Sequence, residues 1–276
     1  MPPDTVRTPL VYRHRLSTRL WHWVNVLAMC SLLMSGLMIF NAHPRLYWGQ
    51  YGANSDTPLL QIGTTGTGDG EAGFLRIGSR QYTTTGLLGR WQDADGVDRS
   101  KAFPYWATIP STYNLALARR WHLFFAWVLV LSGSAYLGWS VLNGHVWRDL
   151  APRLRELTPG HIWHDVKQHA RLRFPTGDAA LHYNILQKLA YVSVLFLLVP
   201  LIVLTGMTMS PGLNAAWPGL LDLFGGRPSA RTLHFVVATS LVLFVLVHLL
   251  MVVLAGPFNE VRSMITGRYR VPLEKK

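Results

Sequence analysis

Leu233–Gly256 reads LHFVVATSLVLFVLVHLLMVVLAG, an apolar run interrupted by His234 and His248. From 234 to 248 is fourteen residues. At about 3.6 residues per turn that is close to four turns, so both imidazoles fall on nearly the same helix face, about 21 Å apart along the axis. A run of this length crosses a bilayer, and the spacing sets one histidine near each edge. An ionisable group inside such a segment is costly and is a functional candidate by default. A single histidine there is as readily a buried polar group bonded to a backbone carbonyl. Two on one face ask for a common explanation.

Neutral imidazole is a strong iron ligand, and haem of the b type is held by axial side chains alone. If each histidine is an axial ligand, two more must come from other helices. The composition allows this: half of the 276 residues are hydrophobic and only 14% are charged, which points to a membrane domain rather than a disordered or nucleic-acid-binding chain. Four stretches are long and apolar enough to span: 21–40, 121–142, 186–207 and 232–256. They make one membrane domain over 1–276, expected as an all-α four-helix bundle with a long loop at 42–119 and a second connection at 143–185.

The net charge of +12 does not mark a nucleic-acid partner, because the cations are distributed by side. Arg7, Arg13, Arg15 and Arg19 precede the first span. Arg148, Arg153, Arg155, Lys167, Arg171, Arg173 and Lys188 lie in or beside the second connection, and Arg262, Arg268, Arg270, Lys275 and Lys276 follow the fourth span. With four spans these segments share one side, and the positive-inside rule places both termini in the cytoplasm and the 42–119 loop in the periplasm. The first span has a basic start but lacks a small-residue cleavage site, so it reads as a retained anchor. Cys30, the one cysteine, excludes an internal disulfide, a CxxCH haem attachment and a cysteine-held cluster.

His22 lies at the entry of the first span and His122 at the entry of the second. Topology pairs them: His22 with His248 at the cytoplasmic level, His122 with His234 at the periplasmic level. Arg19, Arg119 and Arg231 stand three residues before His22, His122 and His234. Such arginines share a face with the histidine and can bind a haem propionate, or can simply snorkel to the interface. Gly36, Gly133, Gly138 and Gly206 interrupt the spans; a flat macrocycle or ordinary helix packing accounts for them, and packing is the simpler reading. Pro200 is expected to bend the third span.

Asn184, Gln187 and Lys188 cluster at the start of that third span, either as quinone or propionate contacts or as a plain polar helix start. His161, His164 and Asp165 have metal-like spacing but sit in LTPGHIWHDVKQHARLRFP, which reads better as a basic amphipathic segment on the membrane surface. His14, His43, His145, His169 and His182 receive no ligand role. In the 42–119 loop, GTTGTGDGEAG lacks the spacing of a nucleotide site, and FLRIGSRQYTTTG allows a short hairpin. Trp48, Tyr51, Phe74, Trp91, Tyr105 and Trp106 make the loop aromatic, suited to packing over the outer haem or to docking a partner. No internal repeat is evident.

Together, R-x-x-H-W in the first span, R-x-x-H in the second, N-x-x-Q-K in the third and H-x13-H in the fourth resemble the di-haem cytochrome b membrane subunits of bacterial formate dehydrogenases, nickel-iron hydrogenases and thiosulfate reductases. The resemblance covers all four spans. It implies two haem b with the pairings above, an inner-membrane multi-pass location, and electron transfer between a periplasmic oxidoreductase and membrane quinone, with the catalytic chemistry in the partner. It also implies a quinone near Asn184 and His248. The long aromatic loop departs from the hydrogenase and formate dehydrogenase members and is closer to cytochromes accompanying periplasmic molybdopterin enzymes of the sulfite-oxidase type. The alternative function is a self-contained haem enzyme exchanging electrons between a small molecule such as superoxide and quinone; a large loop over the outer haem disfavours it.

Overall fold

The computed structural model describes residues 10–53, 55–66, 68–171, 176–177 and 181–272. Arg7, Arg173, Lys275 and Lys276, which entered the charge argument, lie outside them. Four long apolar segments dominate. They are α1 (Leu16–Phe40), α2 (Leu115–Leu142), a third span over Ile185–Met209, and α8 (Arg227–Ala255). Of 25 to 29 residues each, they exceed the ~20 that a bilayer requires. Their outward residues are apolar: Leu243, Leu246, Leu250 and Val253 on α8 are all exposed. On a soluble protein such a surface would aggregate, whereas lipid covers it at no cost.

These helices start ahead of the expected boundaries, at Leu16 rather than 21, at Leu115 rather than 121 and at Arg227 rather than 232. The added turns carry Arg19, Arg119, Arg120 and Arg227, and arginine is a good helix former although it depresses hydropathy. Asn114 begins α2 by accepting the Leu117 N–H, 2.9 Å. The third span is interrupted: α4 (Ile185–Ser193) passes through a π-helical turn at Val194–Leu198 into α5 (Val199–Met209). Pro200 has no N–H for the ladder and its ring crowds the preceding turn, and the wider π turn accommodates it.

By its internal contacts the chain forms two compact units. One comprises 1–24, 132–200 and 240–276. In it β1 (Leu10–Tyr12) pairs antiparallel with β8 (Arg268–Arg270), and Tyr269, Val271, Val11 and Leu181 pack together. The short amphipathic helices α3 (Pro159–Ala170) and α9 (Pro257–Thr266) belong here. Gly256, at φ +111, breaks the chain between α8 and α9, and Trp23 Nε1 donates to the Met264 carbonyl, 3.1 Å, tying α9 to α1.

The second unit comprises 25–131 and 201–239. It corrects the all-α expectation, because the 42–119 loop contains six strands among its described residues. β2 (Arg45–Leu46), β3 (Leu60–Thr65), β4 (Ala72–Ile77) and β5 (Arg80–Thr83) form an antiparallel sheet, and β6 (Gly89–Gln92) pairs with β7 (Asp98–Lys101). Ile77 faces Arg80 across a Gly78-Ser79 turn, so the short hairpin expected from the sequence is the β4–β5 pair. Two glycines are obligatory: a Cβ on Gly73 would lie 2.3 Å from the Leu88 carbonyl, and one on Gly89 would lie 2.2 Å from that of Gly63. The sheet closes over Phe40, Leu46, Ile62 and Ala102. Buried Asn41 fixes it to the end of α1, donating to the Phe103 carbonyl (3.0 Å) and accepting the Phe103 N–H (2.7 Å). Phe74 and Trp91 are core residues, whereas Trp48, Tyr51 and Trp106 are exposed. The return to α8 runs through α6 (Pro211–Ala216) and α7 (Gly219–Leu223).

Candidate functional site: two facing imidazole pairs

His122 of α2 and His234 of α8 face each other in the second unit, with ring centroids 6.3 Å apart and planes at 59°. Their Nδ1 atoms are engaged. The Ser35 hydroxyl of α1 lies 3.0 Å from His122 Nδ1, and the Thr205 hydroxyl of α5 lies 3.1 Å from His234 Nδ1. Each hydroxyl has one proton, and each has a carbonyl four residues back to receive it: Ser31 at 2.6 Å and Leu201 at 2.7 Å. The hydroxyl oxygen is therefore left as an acceptor, so the imidazole donates Nδ1–H to it. Carbonyls reinforce the assignment, since they can only accept. The Ile202 carbonyl lies 3.0 Å from His234 Nδ1, and the Leu32 carbonyl is a partner of His122. Both rings are thus fixed as Nδ1–H tautomers with the Nε2 lone pair available, the form that binds a metal.

His22 of α1 and His248 of α8 face each other in the first unit, with centroids 6.5 Å apart and planes at 58°. Here the neighbours are aromatic. Phe244 stacks on His248 (6.1 Å, 15°) and Trp23 meets His22 edge-on (5.1 Å, 85°). His22 Nδ1 is buried without a hydrogen-bond partner among the described residues, as are Arg19 Nε and Trp21 Nε1 close by in sequence. A buried donor left unpaired costs about 1–3 kcal/mol. Arg19 shares a helix face with His22, and its orphaned Nε suits an acceptor-rich ligand there.

These separations test the fit of an iron centre directly. First-row metals bond imidazole nitrogen at about 2.0–2.1 Å, so two imidazoles on opposite sides of one metal hold their centroids about 6 Å apart. Both pairs meet that condition, and the orphaned Arg19 Nε suits a carboxylate of the kind a haem carries. Among the described residues the remaining histidines form no third such pair. Burial, then Arg13, His22 and Arg19, push His14 down to about 4, so it stays neutral. His43 stacks on Tyr47 and is lowered by burial and by Arg231 and Arg45. His145 is bonded to Asp149 at 2.6 Å. His161 and His164 lie on α3, and among the described residues no group of three metal-ligating side chains assembles.

The three arginines that share one spacing have three environments. Arg19 is half-buried with an orphaned Nε, Arg231 donates to the His43 carbonyl and lies over the Phe40 ring, and Arg119 is exposed. At the start of α4, Asn184 and Gln187 close a capping box: the Asn184 side chain accepts the Gln187 N–H (2.9 Å) and the Gln187 side chain accepts the Asn184 N–H (3.2 Å). Asn184 Nδ2 also meets His169 Nε2 at 3.2 Å. Lys188, 8% exposed, bonds both Glu156 oxygens at 2.9 Å. Burial raises the Glu156 pKa, but the Arg153 N–H and the Lys188 ammonium together bring it below the usual carboxylate range.

Ser35 and Thr205 are the site residues that the sequence reading missed. The signal was present: each precedes one of the noted glycines, giving Ser35-Gly36 and Thr205-Gly206. A Cβ on Gly36 would lie 3.4 Å from His122 Cε1, and one on Gly206 would lie 3.3 Å from His234 Cε1. Gly133 and Gly138 face open space.

Four apolar spans and two imidazole pairs at these separations fit a membrane cytochrome of the b type. The chain belongs to the prokaryotic cytochrome b561 family, which matches residues 13–267. It is also similar to the Azospira oryzae protein named "Putative protein-methionine-sulfoxide reductase subunit YedZ1", with 31% identity over 172 residues, 62% of this chain and 82% of that one. No solved structure matches the chain. Membership makes it a multi-pass membrane protein that binds haem b and transfers electrons.

Proposed function

We propose that the chain holds two b haems, one between His22 and His248 and one between His122 and His234, and links membrane quinone to a periplasmic oxidoreductase. The observation that carries this reading is the pair of facing imidazole couples, each with its centroids a metal's reach apart. Bound there, haem supplies a one-electron couple whose potential follows its axial ligands and surroundings. The chain's own residues do the rest: the histidine Nε2 atoms ligate, and the apolar spans exclude water. Arg19, Arg119 and Arg231 are the proposed partners of the haem carboxylates.

We place both termini in the cytoplasm and the 42–119 loop in the periplasm, on the inner membrane. Support comes from Arg13, Arg15, Arg148, Arg153, Arg155, Lys167, Arg171, Arg262, Arg268 and Arg270, all in the unit that holds His22 and His248. The partner would dock on the loop, where Trp48, Tyr51 and Trp106 are exposed. The relative is named as a subunit of a protein-methionine-sulfoxide reductase, so a periplasmic molybdopterin reductase of the sulfite-oxidase type is the proposed partner class. Quinone would exchange near His248, Asn184, Gln187 and Lys188, whose polar groups also cap and brace α4.

The test is reduction of the purified chain in proteoliposomes by a membrane quinol, followed by optical difference spectra. A b-type spectrum that appears on quinol addition is the expected result. A chain without that spectrum, or one reduced by dithionite and never by quinol, would overturn the reading.

A further inference from the structure

The geometry points to Ser35-Gly36 and Thr205-Gly206 as two copies of one positioning ledge that orients His122 and His234 for metal before haem arrives, a device that His22 lacks, which makes the two haem sites unequal in retention. This rests on the two-haem reading above.

The two copies share a hydroxyl, a glycine and an imidazole in one arrangement. In each, a hydroxyl directs its proton to the carbonyl four residues back, at 2.6 Å for Ser35 and 2.7 Å for Thr205. Each leaves its oxygen on an imidazole Nδ1, at 3.0 and 3.1 Å. The carbonyl three residues back is a further partner: Ile202 takes His234 Nδ1, 3.0 Å, and Leu32 is a backbone partner of His122. The next residue is glycine, and its helix backbone lies so close to the ring that a Cβ would stand 3.4 or 3.3 Å from Cε1. The partner strips also match: Ala118-Arg119-x-x-His122 and Ala230-Arg231-x-x-His234, with both alanines fully buried. The second unit therefore contains an internal repeat, a ledge on one helix and a histidine on the next, used twice.

Three consequences follow from the chemistry. The ring cannot flip to offer Nδ1 to the metal, because that nitrogen already donates to the ledge. Hydrogen bonding from Nδ1–H makes Nε2 a stronger donor to iron, which favours the ferric state. The ring also loses little freedom on ligation, so binding carries a smaller ordering cost. At the other pair, His22 Nδ1 has no partner among the described residues. Its orientation depends on ring packing, and haem there is held with less preorganisation.

Haem transfer from the detergent-solubilised full chain to excess apomyoglobin tests this, together with a redox titration of the haem that remains. The expected loss is biphasic. The slow phase should persist in His22→Ala, and the fast phase alone should remain in His122→Ala. Ser35→Ala with Thr205→Val should release the slow haem about 10–100-fold faster and raise its midpoint potential. Thr205→Ser in place of Thr205→Val should restore both readouts in part. The fast haem serves as the fold control; if the double variant loses it too, each single substitution is measured separately. Equal loss rates in the wild type, or hydroxyl variants that change neither rate nor potential, overturn the proposal. Two haems retained in His122→Ala and in His234→Ala would instead overturn the ligand assignment on which it rests.

Discussion

His122–His234 and His22–His248 have nearly the same ring separation and tilt, 6.3 Å and 59° against 6.5 Å and 58°, yet they reach it by different means. The first pair is held by hydrogen bonds from neighbouring helices. The second is held by aromatic packing, and among the described residues His22 Nδ1 has no hydrogen-bond partner. Ligand spacing is set by where the helices run, whereas ligand orientation is set by what touches the far nitrogen. The two properties can vary independently.

Removal of a ligand is the most severe way to break the comparison. His22→Ala or His248→Ala should each cost one haem per chain and spare the other, and His122→Ala or His234→Ala should cost the opposite one. Pyridine haemochrome counts check this, and loss of both haems from every variant would leave the pairing without support.

Next in size are the glycines. Gly36→Ala and Gly206→Ala add a methyl 3.4 and 3.3 Å from an imidazole carbon, so the ring must shift by a few tenths of an ångström. Those variants should lower occupancy of the His122–His234 site alone. Gly133→Ala and Gly138→Ala, which meet nothing within 4 Å, should bind haem as the wild type does.

A smaller, pH-dependent effect belongs to the unit containing His22. The Glu156 carboxyl lies below its ordinary pKa, so its stabilising contribution is complete above the usual carboxylate range and is lost as pH falls through the depressed value. Glu156→Gln, which strands a buried Lys188, should cost about 1–2 kcal/mol at neutral pH, discounted for the partial exposure of Glu156. The gap between its melting temperature and that of the wild type should narrow as pH falls below the usual carboxylate range. Haem retention at the His122–His234 site should not follow that trend.

The arginines close the series. Arg19→Gln should weaken haem retention at the His22–His248 site more than Arg119→Gln does at the other, because Arg19 has a buried orphaned donor and Arg119 is solvated.

Hydropathy made the four spans legible, and helical spacing made the ligand face of α8 legible. Both signals are local. The strands of the 42–119 loop were hidden because they are two to six residues long, so alternation has little length in which to register. The ledges were hidden for another reason. Ser35 precedes His122 by 87 residues and Thr205 precedes His234 by 29, and unequal loops conceal a repeat that only the folded chain aligns. Arg19, Arg119 and Arg231 show the converse: one spacing in sequence, three environments in space.

The most direct test of the central claim is the haem stoichiometry of the wild-type chain, measured together with its low-temperature EPR spectrum in the oxidised state. Two b haems per chain, both low-spin with bis-imidazole signatures and distinguishable from each other, is the predicted result. A single haem per chain, or a high-spin signal from either one, would contradict it.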